Sequence, residues 1–592
     1  MVGSINRMSD YSVPLDEIQF VLEHVAGLSA VTEIDRFAHA TPDMVEGVLF
    51  EAARFFEGVV APVDRVGDEQ GSRVVDGGVV TPDGFKEAYQ QYVEAGWGAL
   101  AFPEEIGGGA FPRVVAFALQ EMLTTASMAF SLCPMLTGGA IEALTLHGSE
   151  ELYGQYVPRM ITGEWSGTMN LTEPHAGSDL GVINAKATPQ GDGTYRIQGQ
   201  KIFITYGDHD MAENIVHLVL AKTPDAPPGT KGISMFIVPK FLVEADGSLG
   251  ARNDVELVSI EHKIGIHASP TCVLSFGPTE GAIGYLVGEE HAGMRYMFTM
   301  MNSARLAVGL EGLAVAERAY QQALAYAKDR KQGTALGAAK GTQSPIIEHP
   351  DVKRMLLTQR AYIEAMRGLM YDNAAQFDLA EAHPDADVRA AADGRAQLLT
   401  PLSKAWATDL GVECTSLAIQ VHGGMGYVEE TGVAQRWRDS RIAPIYEGTN
   451  GIQAMDLVGR KLPLSGGEVI RSYIGWMAEV AGLAEAAGLG DLAKSLHEGI
   501  GKVTEATMWI AGSREDIASV LAGATPYLRL LAQVAGGAYL VKAAVAATEA
   551  GHADAGDRAG IAAFYTTQLM PSVYGLVPAV TAGISQLEAV EL

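Results

Sequence analysis

Residues 193–205, GTYRIQGQKIFIT, interrupt a chain that is otherwise helical in its pattern. Apolar and polar side chains alternate along this stretch, and the pair Asp192-Gly193 marks its beginning. Alternation with a period of two is typical of a half-buried β-strand, and Asp-Gly is a preferred hairpin turn. The stretch therefore predicts a β-strand that is entered through a hairpin.

Similar runs follow this predicted strand. They are NIVHLVLAKT at 214–223, GISMFIVPK at 232–240 and TCVLSF at 271–276. Their β-branched and aromatic residues, separated by turn-forming segments, indicate further strands. We therefore expect a β domain at about residues 165–288.

Helical periodicity dominates on both sides of this β domain. DMVEGVLFEAARFFEGVVAPVDRVG, at 43–67, carries apolar residues three and four apart, and we expect its helix to stop at Pro62. The pattern returns at 293–330 and continues into an Ala-rich tail. Strand–helix alternation and a GxGxxG motif after a strand are both missing, so a Rossmann dinucleotide site is not indicated.

The predicted fold class is therefore α+β. Its four domains are an N-terminal helical domain at 1–164, a middle β domain at 165–288, a C-terminal helical bundle at 289–462 and an additional C-terminal helical domain at 463–592.

Composition excludes several classes of function. The formal net charge of −29 argues against a generic nucleic-acid binder, since phosphate contacts need clustered Lys and Arg. Cys133, Cys272 and Cys414 have no CxxC spacing, so neither a disulfide framework nor a metal site is predicted. No signal or transit pattern is found, and the nearest apolar run, LLAQVAGGAYLV at 530–541, is too short for a membrane span. We expect a cytoplasmic protein without an integral membrane segment.

A single acid, Glu447, stands in the segment RIAPIYEGTNGIQ at 441–453. Asn450 and Gln453 have the spacing of a capping box, which predicts a helix that starts at about Gly451. Glu447 is then either a solvated loop acid or a carboxylate at the edge of a cavity. In the second case desolvation raises its pKa and makes it a better base, so Glu447 is a candidate general base.

Other segments offer binding groups, each with an ordinary structural alternative. MNLTEPHAGSDLG at 169–181 can bind a polar ring or pyrophosphate through main-chain donors, or is a simple loop. The glycines of QVHGGMGY at 420–427 allow close approach to phosphates, or form a tight turn in which His422 is packed. Arg330 is a phosphate clamp or a helix-end partner, and Arg305, in a very apolar helix, needs a partner that a ligand can supply.

Taken together, these segments resemble the acyl-CoA dehydrogenase family. The resemblance covers about residues 45–462. The motifs that carry it are FPEEIGGG, TEPHAGSD, GQKIFITYGD, KIGIHASPT, LVGEEHAGM, MNSARL, DRKQG, QVHGGMGY and IYEGTNGIQ, in the order and spacing of the family. The tail beyond Leu462 resembles that of larger bacterial members, which include the 3-methylmercaptopropionyl-CoA dehydrogenases.

The resemblance implies FAD as cofactor and a homodimer or dimer of dimers. It implies removal of the α-proton and β-hydride of an acyl-CoA, in fatty-acid β-oxidation, with electrons passed to an electron-transferring flavoprotein. Glu447 matches the base of most members. Some relatives place the base where Ala304 stands here, and alanine cannot act as one.

The resemblance also implies binding residues. Those for FAD are Leu171, Thr172, Gly177, Ser178, Phe203, Thr205, Arg330, Gln332, Ile346, His349, Gln420, Gly424 and Thr449, of which Arg330, Gln332, Gln420 and Gly424 reach the FAD of a neighbouring subunit. Those for substrate are Ser178, Asn302, Arg305, Tyr446, Glu447 and Gly448. Phe203 stands where Trp is frequent, and Asn302 stands where Asp is frequent.

Two alternatives on the same scaffold remain. One is an acyl-CoA oxidase that uses dioxygen. The other is a DNA-protecting flavoprotein, against which the tail's 13 acidic and 7 basic residues argue. The substrate is expected to be 3-methylmercaptopropionyl-CoA or a fatty acyl-CoA.

Overall fold

The computed structural model describes residues 11–591, apart from the side chain of Asn302. The α-helices within that range are α1 Leu15–Phe20, α2 Leu28–Thr32, α3 Pro42–Phe55, α4 Ala61–Gln70, α5 Phe85–Glu94, α6 Arg113–Ala126, α7 Met128–His147, α8 Glu150–Thr162, α9 Gly293–Asp329, α10 Pro350–Ala382, α11 Ala386–His422, α12 Val433–Ser440, α13 Asn450–Asp456, α14 Glu468–Ala486, α15 Gly490–Gly512, α16 Ile517–Ala522, α17 Ala524–Glu549, α18 Ala555–Phe564, α19 Val577–Thr581 and α20 Ser585–Glu588.

The strands in the same range are β1 Arg73–Val75, β2 Gly78–Val80, β3 Trp165–Asn170, β4 Lys186–Pro189, β5 Thr194–Thr205, β6 Asn214–Lys222, β7 Ile233–Pro239, β8 Phe241–Val243, β9 Leu249–Arg252, β10 Val255–Ile260, β11 Thr271–Phe276 and β12 Ala282–Leu286. The described chain divides into two compact units. The first comprises residues 54–111 and 126–304, and the second comprises residues 11–53, 112–125 and 305–591.

An eight-stranded sheet forms the centre of the first unit. Its order is β10-β11-β5-β12-β7-β6-β3, and β4 pairs with β5 and β6. β3 runs parallel to β6, whereas β5, β7, β11 and β12 pair antiparallel with their neighbours. β7 is buried along its whole length, and α7 and α8 pack beside β3. The predicted β character of this region is thereby confirmed.

Pro62 does not end a helix, contrary to the prediction from the sequence. A π-helical turn at Phe56–Val60 precedes it, and α4 begins at Ala61. Pro62 therefore lies in the first turn of α4, where the missing N–H has no intrahelical acceptor to lose.

The second unit is helical, and its long helices pack through glycine. A Cβ on Gly309 of α9 would stand 2.4 Å from the Ser403 carbonyl oxygen of α11, and one on Gly312 would stand 2.2 Å from that of Ala407. A Cβ on Gly411 of α11 would stand 2.7 Å from the Gly312 Cα. The backbones of α9 and α11 touch here only because no side chain intervenes. The contact brings the side chains that flank these glycines close together.

Two helices among the described residues, α7 and α17, are long and apolar enough to cross a membrane by length and composition. The expectation that no apolar segment reaches that length was therefore wrong. The apolar window of α17 is 89% buried within the protein, and that of α7 is 61% buried. Such burial is that of core helices. In α17, Tyr539 donates to Asp372 of α10, and Arg395 of α11 binds the same carboxylate at 2.7 Å.

Candidate active site

Glu447 lies in a sharp backbone bend before α13. Its φ is +54°, and that of Gly448 is +84°. A side chain other than glycine is uncommon in this left-handed region, which costs about 1–3 kcal/mol. On the upstream side the Tyr446 N–H donates to the Ile442 carbonyl at 3.2 Å. Strained backbone of this kind persists only where neighbouring contacts hold it. The contacts on either side of Glu447 therefore maintain the bend.

Thr449 caps the helix that follows the bend. Its hydroxyl accepts a hydrogen bond of 3.3 Å from the Ile452 N–H, and α13 begins at Asn450. The predicted capping box was therefore wrong, because Asn450 is not the N-cap. Gln453 instead donates from its side chain to the carbonyls of Glu447 and Gly448, at 3.4 Å each.

The side chain of Asn450 is used to anchor the bend on α11. Its oxygen accepts from the Lys404 ammonium at 2.9 Å. Its amide group donates to the Ala405 carbonyl at 3.0 Å and to the Asp409 carboxylate at 2.8 Å. These bonds explain why Asn450 cannot act as the cap, and they fix the downstream side of the bend.

Tyr446 anchors the upstream side. Its hydroxyl lies 2.6 Å from each carboxyl oxygen of Glu311, to which it donates. Glu311 is only 1% exposed and lies on α9 between Gly309 and Gly312. The residues on both sides of Glu447 are therefore tied to side chains of the packed helices α9 and α11.

Electrostatics at the bend favour a base with an elevated pKa. Burial raises the pKa of Glu447, and the positive charges of Arg305 and Lys404 oppose that shift without reversing it. Burial raises the pKa of Glu311 to about 8, against the Tyr446 hydrogen bond and the charge of Lys404. Burial lowers the pKa of Lys404 to about 8, against the attraction of Glu311 and Glu447. A carboxylate with a raised pKa is a stronger general base.

Glu447 itself remains available for reaction. Its carboxylate makes no ion pair or hydrogen bond with any residue in the described part of the chain, and its backbone N–H has no acceptor there. An acid and an adjacent N–H donor, both without partners, can serve one ligand together. The first can accept a proton and the second can donate to an oxygen.

Arg305 lies beside this bend. Its Nη1 is 3.7 Å from the Asp456 carboxylate, and its buried Nε has no hydrogen-bond partner among the described atoms. A methyl group on Gly448 would stand 3.9 Å from its Nη2. Arg305 therefore has an internal counter-ion and a buried donor that no described atom accepts from.

A second arrangement lies in the first unit, where the loop after β3 is tied to β5. The Ile202 N–H donates to the Thr172 carbonyl at 3.0 Å. The buried Lys201 ammonium donates to the Leu171 carbonyl and to the Glu173 carboxylate, at 2.9 Å each. Leu171 and Thr172 are thereby held beside the end of β5.

A β-bulge in β5 turns Phe203 outward. The register against β11 shifts between Cys272 and Leu274, which pair with Ile204 and Lys201. Phe203 has a φ of +59° and is 58% exposed. A bulge re-aims a side chain, and here it presents an aromatic ring that is available for stacking.

Three hydroxyl groups on the same two segments have no protein partner. The side chains of Thr172, Ser178 and Thr205 make no hydrogen bond with any other residue that the structure describes. At Gly177, no atom lies within 4 Å of the position that a Cβ would take. The two segments therefore offer unused donors, open backbone at Gly177 and the exposed aromatic ring of Phe203.

The loop after α9 gathers four of the predicted residues. The Ile346 N–H donates to the Arg330 carbonyl at 2.8 Å, and a His349 ring nitrogen is 2.8 Å from the Gln332 carbonyl. The Arg330 guanidinium donates to the Gln332 side chain at 3.3 Å. Arg330, Gln332, Ile346 and His349 therefore form one cluster.

Gln420 and Gly424 are exposed where α11 ends. His422 between them is packed: its ring stacks on Tyr326 with centroids 4.4 Å apart, and its Nδ1 is hydrogen-bonded to the Ala418 carbonyl at 2.8 Å. His422 thus has the structural role that the sequence also allowed.

The predicted residues divide between the two units. The first contains Leu171, Thr172, Gly177, Ser178, Phe203 and Thr205, and the second contains Arg305, Arg330, Gln332, Ile346, His349, Gln420, Gly424, Tyr446, Glu447, Gly448 and Thr449. The side chain of Asn302 lies outside the part that the structure describes.

The sequence did not predict that Glu311 and Lys404 lie beside the bend that carries Glu447. The signal for Glu311 was a lone acid between two glycines in the apolar run ARLAVGLEGLAVA, at 304–316. An acid in such a run is buried and must find a partner.

Comparison with known proteins identifies the family to which the chain belongs. Four family descriptions match in chain order: "Acyl-CoA dehydrogenase, N-terminal domain" at 48–164, "Acyl-CoA dehydrogenase, middle domain" at 168–278, "Acyl-CoA dehydrogenase, C-terminal domain" at 291–462, and "Acetyl-CoA dehydrogenase C-terminal like" at 476–591. The chain belongs to the acyl-CoA dehydrogenase family. It is an oxidoreductase that uses FAD, with the family's α+β fold and an extra C-terminal helical region.

Similar proteins cover nearly the whole chain. The 3-methylmercaptopropionyl-CoA dehydrogenase of Ruegeria pomeroyi is 46% identical over 552 residues, covering 92% of this chain and 93% of the relative. A broad-specificity linear acyl-CoA dehydrogenase of Mycobacterium tuberculosis is 36% identical, covering 87% and 86%. The solved structure of a Bacillus anthracis acyl-CoA dehydrogenase complexed with FAD has a TM-score of 0.73, at 20% identity and 94% and 90% coverage.

The residues of this acyl-CoA dehydrogenase suit a flavin. The exposed ring of Phe203 offers a stacking face, and the unpartnered hydroxyls of Thr172 and Thr205 offer donors to polar ring atoms. The Arg330 cluster adds an exposed guanidinium that suits phosphate. Both kinds of group that FAD needs, an aromatic platform and an anion site, are present in the chain.

Proposed function

We propose that this acyl-CoA dehydrogenase converts an acyl-CoA thioester into the trans-2-enoyl-CoA with Glu447 as the base. The observation that carries the proposal is that one residue, Glu447, offers both a carboxylate and a backbone N–H to a ligand. Its carboxylate has a raised pKa, and both the carboxylate and the neighbouring N–H have no partner among the described residues. Glu447 takes the proton from the α-carbon of the acyl group. When bound, FAD supplies the acceptor for the β-hydride.

The backbone N–H of Glu447 stabilises the charge that develops on the substrate. An α-hydrogen next to a thioester is a weak acid, so the carbonyl oxygen becomes negative as the proton leaves. An N–H already aimed by the strained bend donates to that oxygen without reorganisation. The positive φ of Glu447 thus belongs to a residue whose N–H and carboxylate serve the same ligand, and strained backbone is frequent at such sites.

The remaining predicted residues bind FAD and CoA. Phe203, Thr172, Thr205, Ser178, Gly177 and Leu171 contact the flavin and its phosphate side. Arg330, Gln332, Ile346, His349, Gln420, Gly424 and Thr449 complete the adenine and phosphate side, partly for a neighbouring subunit. The protein is therefore at least a homodimer. Ser178, Asn302, Arg305, Tyr446 and Gly448 contact the acyl-CoA.

The substrate is 3-methylmercaptopropionyl-CoA or a fatty acyl-CoA. The Ruegeria pomeroyi relative, which is named for 3-methylmercaptopropionyl-CoA, supports this class. The Mycobacterium tuberculosis relative, which is named for linear acyl-CoAs, supports the wider fatty-acyl class. An electron-transferring flavoprotein is the expected acceptor, and the reaction belongs to cytoplasmic fatty-acid β-oxidation.

An anaerobic bleaching screen tests this function. The purified yellow protein is mixed with acyl-CoAs of graded chain length and with 3-methylmercaptopropionyl-CoA, and flavin absorbance is followed. We expect rapid bleaching by at least one thioester. A flavin-loaded protein that no acyl-CoA bleaches would contradict the proposal.

The acceptor is tested by admitting air to the reduced protein. Slow reoxidation by dioxygen and fast reoxidation by an electron-transferring flavoprotein identify a dehydrogenase. Rapid formation of peroxide identifies an acyl-CoA oxidase. Tight, salt-sensitive binding of DNA would instead favour the DNA-protecting alternative.

A further inference from the structure

The bend that carries Glu447 is anchored unequally on its two sides. Downstream, Thr449, Asn450 and Gln453 make several hydrogen bonds. Upstream, the side-chain anchor is the hydroxyl of Tyr446, which donates to Glu311. Beside the backbone bond to Ile442, the upstream side of the bend is therefore tied to a neighbouring helix through the side chain of one residue.

The carboxyl of Glu311 makes no other hydrogen bond or ion pair with the residues that the structure describes. Tyr446 is the only hydrogen-bond partner of its carboxyl group in the described part of the chain, and no described cation lies within ion-pairing distance of that group. A buried carboxyl with a single donor does not stabilise a fold efficiently, because its desolvation is incompletely compensated. An apolar residue would fill this place in α9 at lower cost. The acid is better explained by the contact that it makes.

The support for Glu311 is rigid. Gly309 and Gly312 hold α9 against the backbone of α11, so the Glu311 side chain cannot move away with its helix. The groups that face Glu311 are Tyr446 and Glu447 from the bend and Lys404 from α11. A carboxyl on a fixed helix, beside the residue before the base, is suited to set the position of that base.

We propose that Glu311 is a positioning residue for the base Glu447, which it holds in place by accepting the hydrogen bond of the Tyr446 hydroxyl. The inference rests on the proposed function, since it assumes that Glu447 takes the α-proton. The pKa of about 8 supports it further: near neutral pH the Glu311 carboxyl is protonated and accepts the bond without adding a second negative charge beside Glu447.

Two substitutions of Glu311 separate positioning from simple packing. Glu311→Gln keeps the acceptor oxygen and resembles the protonated acid, whereas Glu311→Leu removes the acceptor and keeps an apolar volume. Tyr371→Phe is the matched control, because the Tyr371 hydroxyl also donates to a buried carboxylate, that of Glu121, at 2.7 Å. That pair makes no hydrogen bond to the Glu447 bend.

The holoenzymes are mixed anaerobically with butyryl-CoA and with 3-methylmercaptopropionyl-CoA, and bleaching is followed over a range of thioester concentrations. We expect Glu311→Leu to slow the limiting rate about 10²-fold, the effect of a small misplacement of a reacting group. The half-saturating concentration and flavin content stay unchanged. Glu311→Gln and Tyr371→Phe stay within about threefold of wild type, because neither removes the acceptor at the bend.

The outcomes distinguish a failure of the proposed function from a failure of the inference about Glu311. Wild-type protein that neither thioester bleaches contradicts the proposed function and the inference together. Bleaching of wild type and Glu311→Leu at equal rates overturns the inference alone, as does an equal loss in Glu311→Gln and Glu311→Leu.

Tyr446→Phe provides an independent variant if Glu311→Leu does not fold. It deletes the donor of the same bond, so its loss in rate should match that of Glu311→Leu. The double variant should be no slower than either single variant, because both remove one interaction. Full additivity of the two losses would overturn the inference.

Discussion

The ammonium group of Lys404 donates a 2.9 Å hydrogen bond to the side-chain oxygen of Asn450, three residues beyond Glu447. Lys404 is fully buried in α11. Burial lowers its pKa to about 8, while Glu311, Glu447 and Asp409 favour its charged form. Near neutral pH a positive charge is therefore held beside the bend, where it lowers the pKa of Glu447.

Replacement of Lys404 should alter the pH dependence of flavin bleaching. Lys404→Met removes a charge that opposes the burial-induced rise in the pKa of Glu447, so that pKa should rise further. Less of the base is then ionised at a given pH, and the acidic limb of the rate profile moves to higher pH. The bleaching rate measured between about pH 5 and pH 9 checks this, with the effect confined below the Lys404 pKa of about 8.

Lys542→Met is the matched control for this experiment. Lys542 is a half-buried lysine of the same helical unit whose pKa burial also lowers, but it donates to the Val25 carbonyl at 2.8 Å and its charge does not act on Glu447. Its replacement should leave the acidic limb in place. A limb that moves to lower pH in Lys404→Met, or that moves equally in both variants, would show that Lys404 does not act on the base.

Phe203 should contribute to retention of FAD. Its outward ring is the stacking face at the end of β5, so Phe203→Ala should weaken FAD binding about tenfold, the size of one aromatic contact. Fluorescence of FAD released during dilution measures the loss. Val258→Ala, which trims another exposed side chain of the sheet, is the control and should release no more FAD than wild type. Equal release from both variants would argue against stacking at Phe203.

Arg330 should matter for FAD more than for acyl-CoA. A guanidinium that binds phosphate contributes about 1.5–3 kcal/mol, so Arg330→Ala should lose at least about tenfold in FAD affinity. Flavin absorbance after dialysis measures this, and acyl-CoA titration of the reloaded protein should give near wild-type binding. Lys340→Ala removes an exposed positive charge from the same loop and should retain its flavin. Complete flavin occupancy in dialysed Arg330→Ala would contradict the role.

Strand positions in the β domain could be read from the sequence because period-two alternation reports local geometry. β5 was predicted at 193–205 and is observed at Thr194–Thr205, and β11 occupies the predicted 271–276. The Asp192 carboxylate accepts from the Thr194 N–H at 2.9 Å, which is the turn chemistry that Asp-Gly indicated. These features depend on residues close together in the sequence.

The errors lie where distant residues decide the outcome. Asn450 has the composition of an N-cap, but its amide is taken by Ala405 and Asp409, more than forty positions earlier. Thr449 caps the helix instead. Likewise the carboxyl of Glu311 accepts a hydrogen bond from Tyr446, 135 positions away, and no local sequence pattern predicts that pair. The candidate base could be proposed from a resemblance, but the residues that hold its bend in place could not.

Glu447 is proposed to take the α-proton. Rapid anaerobic mixing of flavin-loaded Glu447→Gln with the best acyl-CoA substrate tests this role most directly. Gln keeps the size of the side chain and the backbone N–H but cannot accept the proton. We predict that the yellow flavin is retained and that its bleaching slows by about 10³-fold or more, as expected for loss of a general base. Bleaching of the variant at the wild-type rate would contradict the claim.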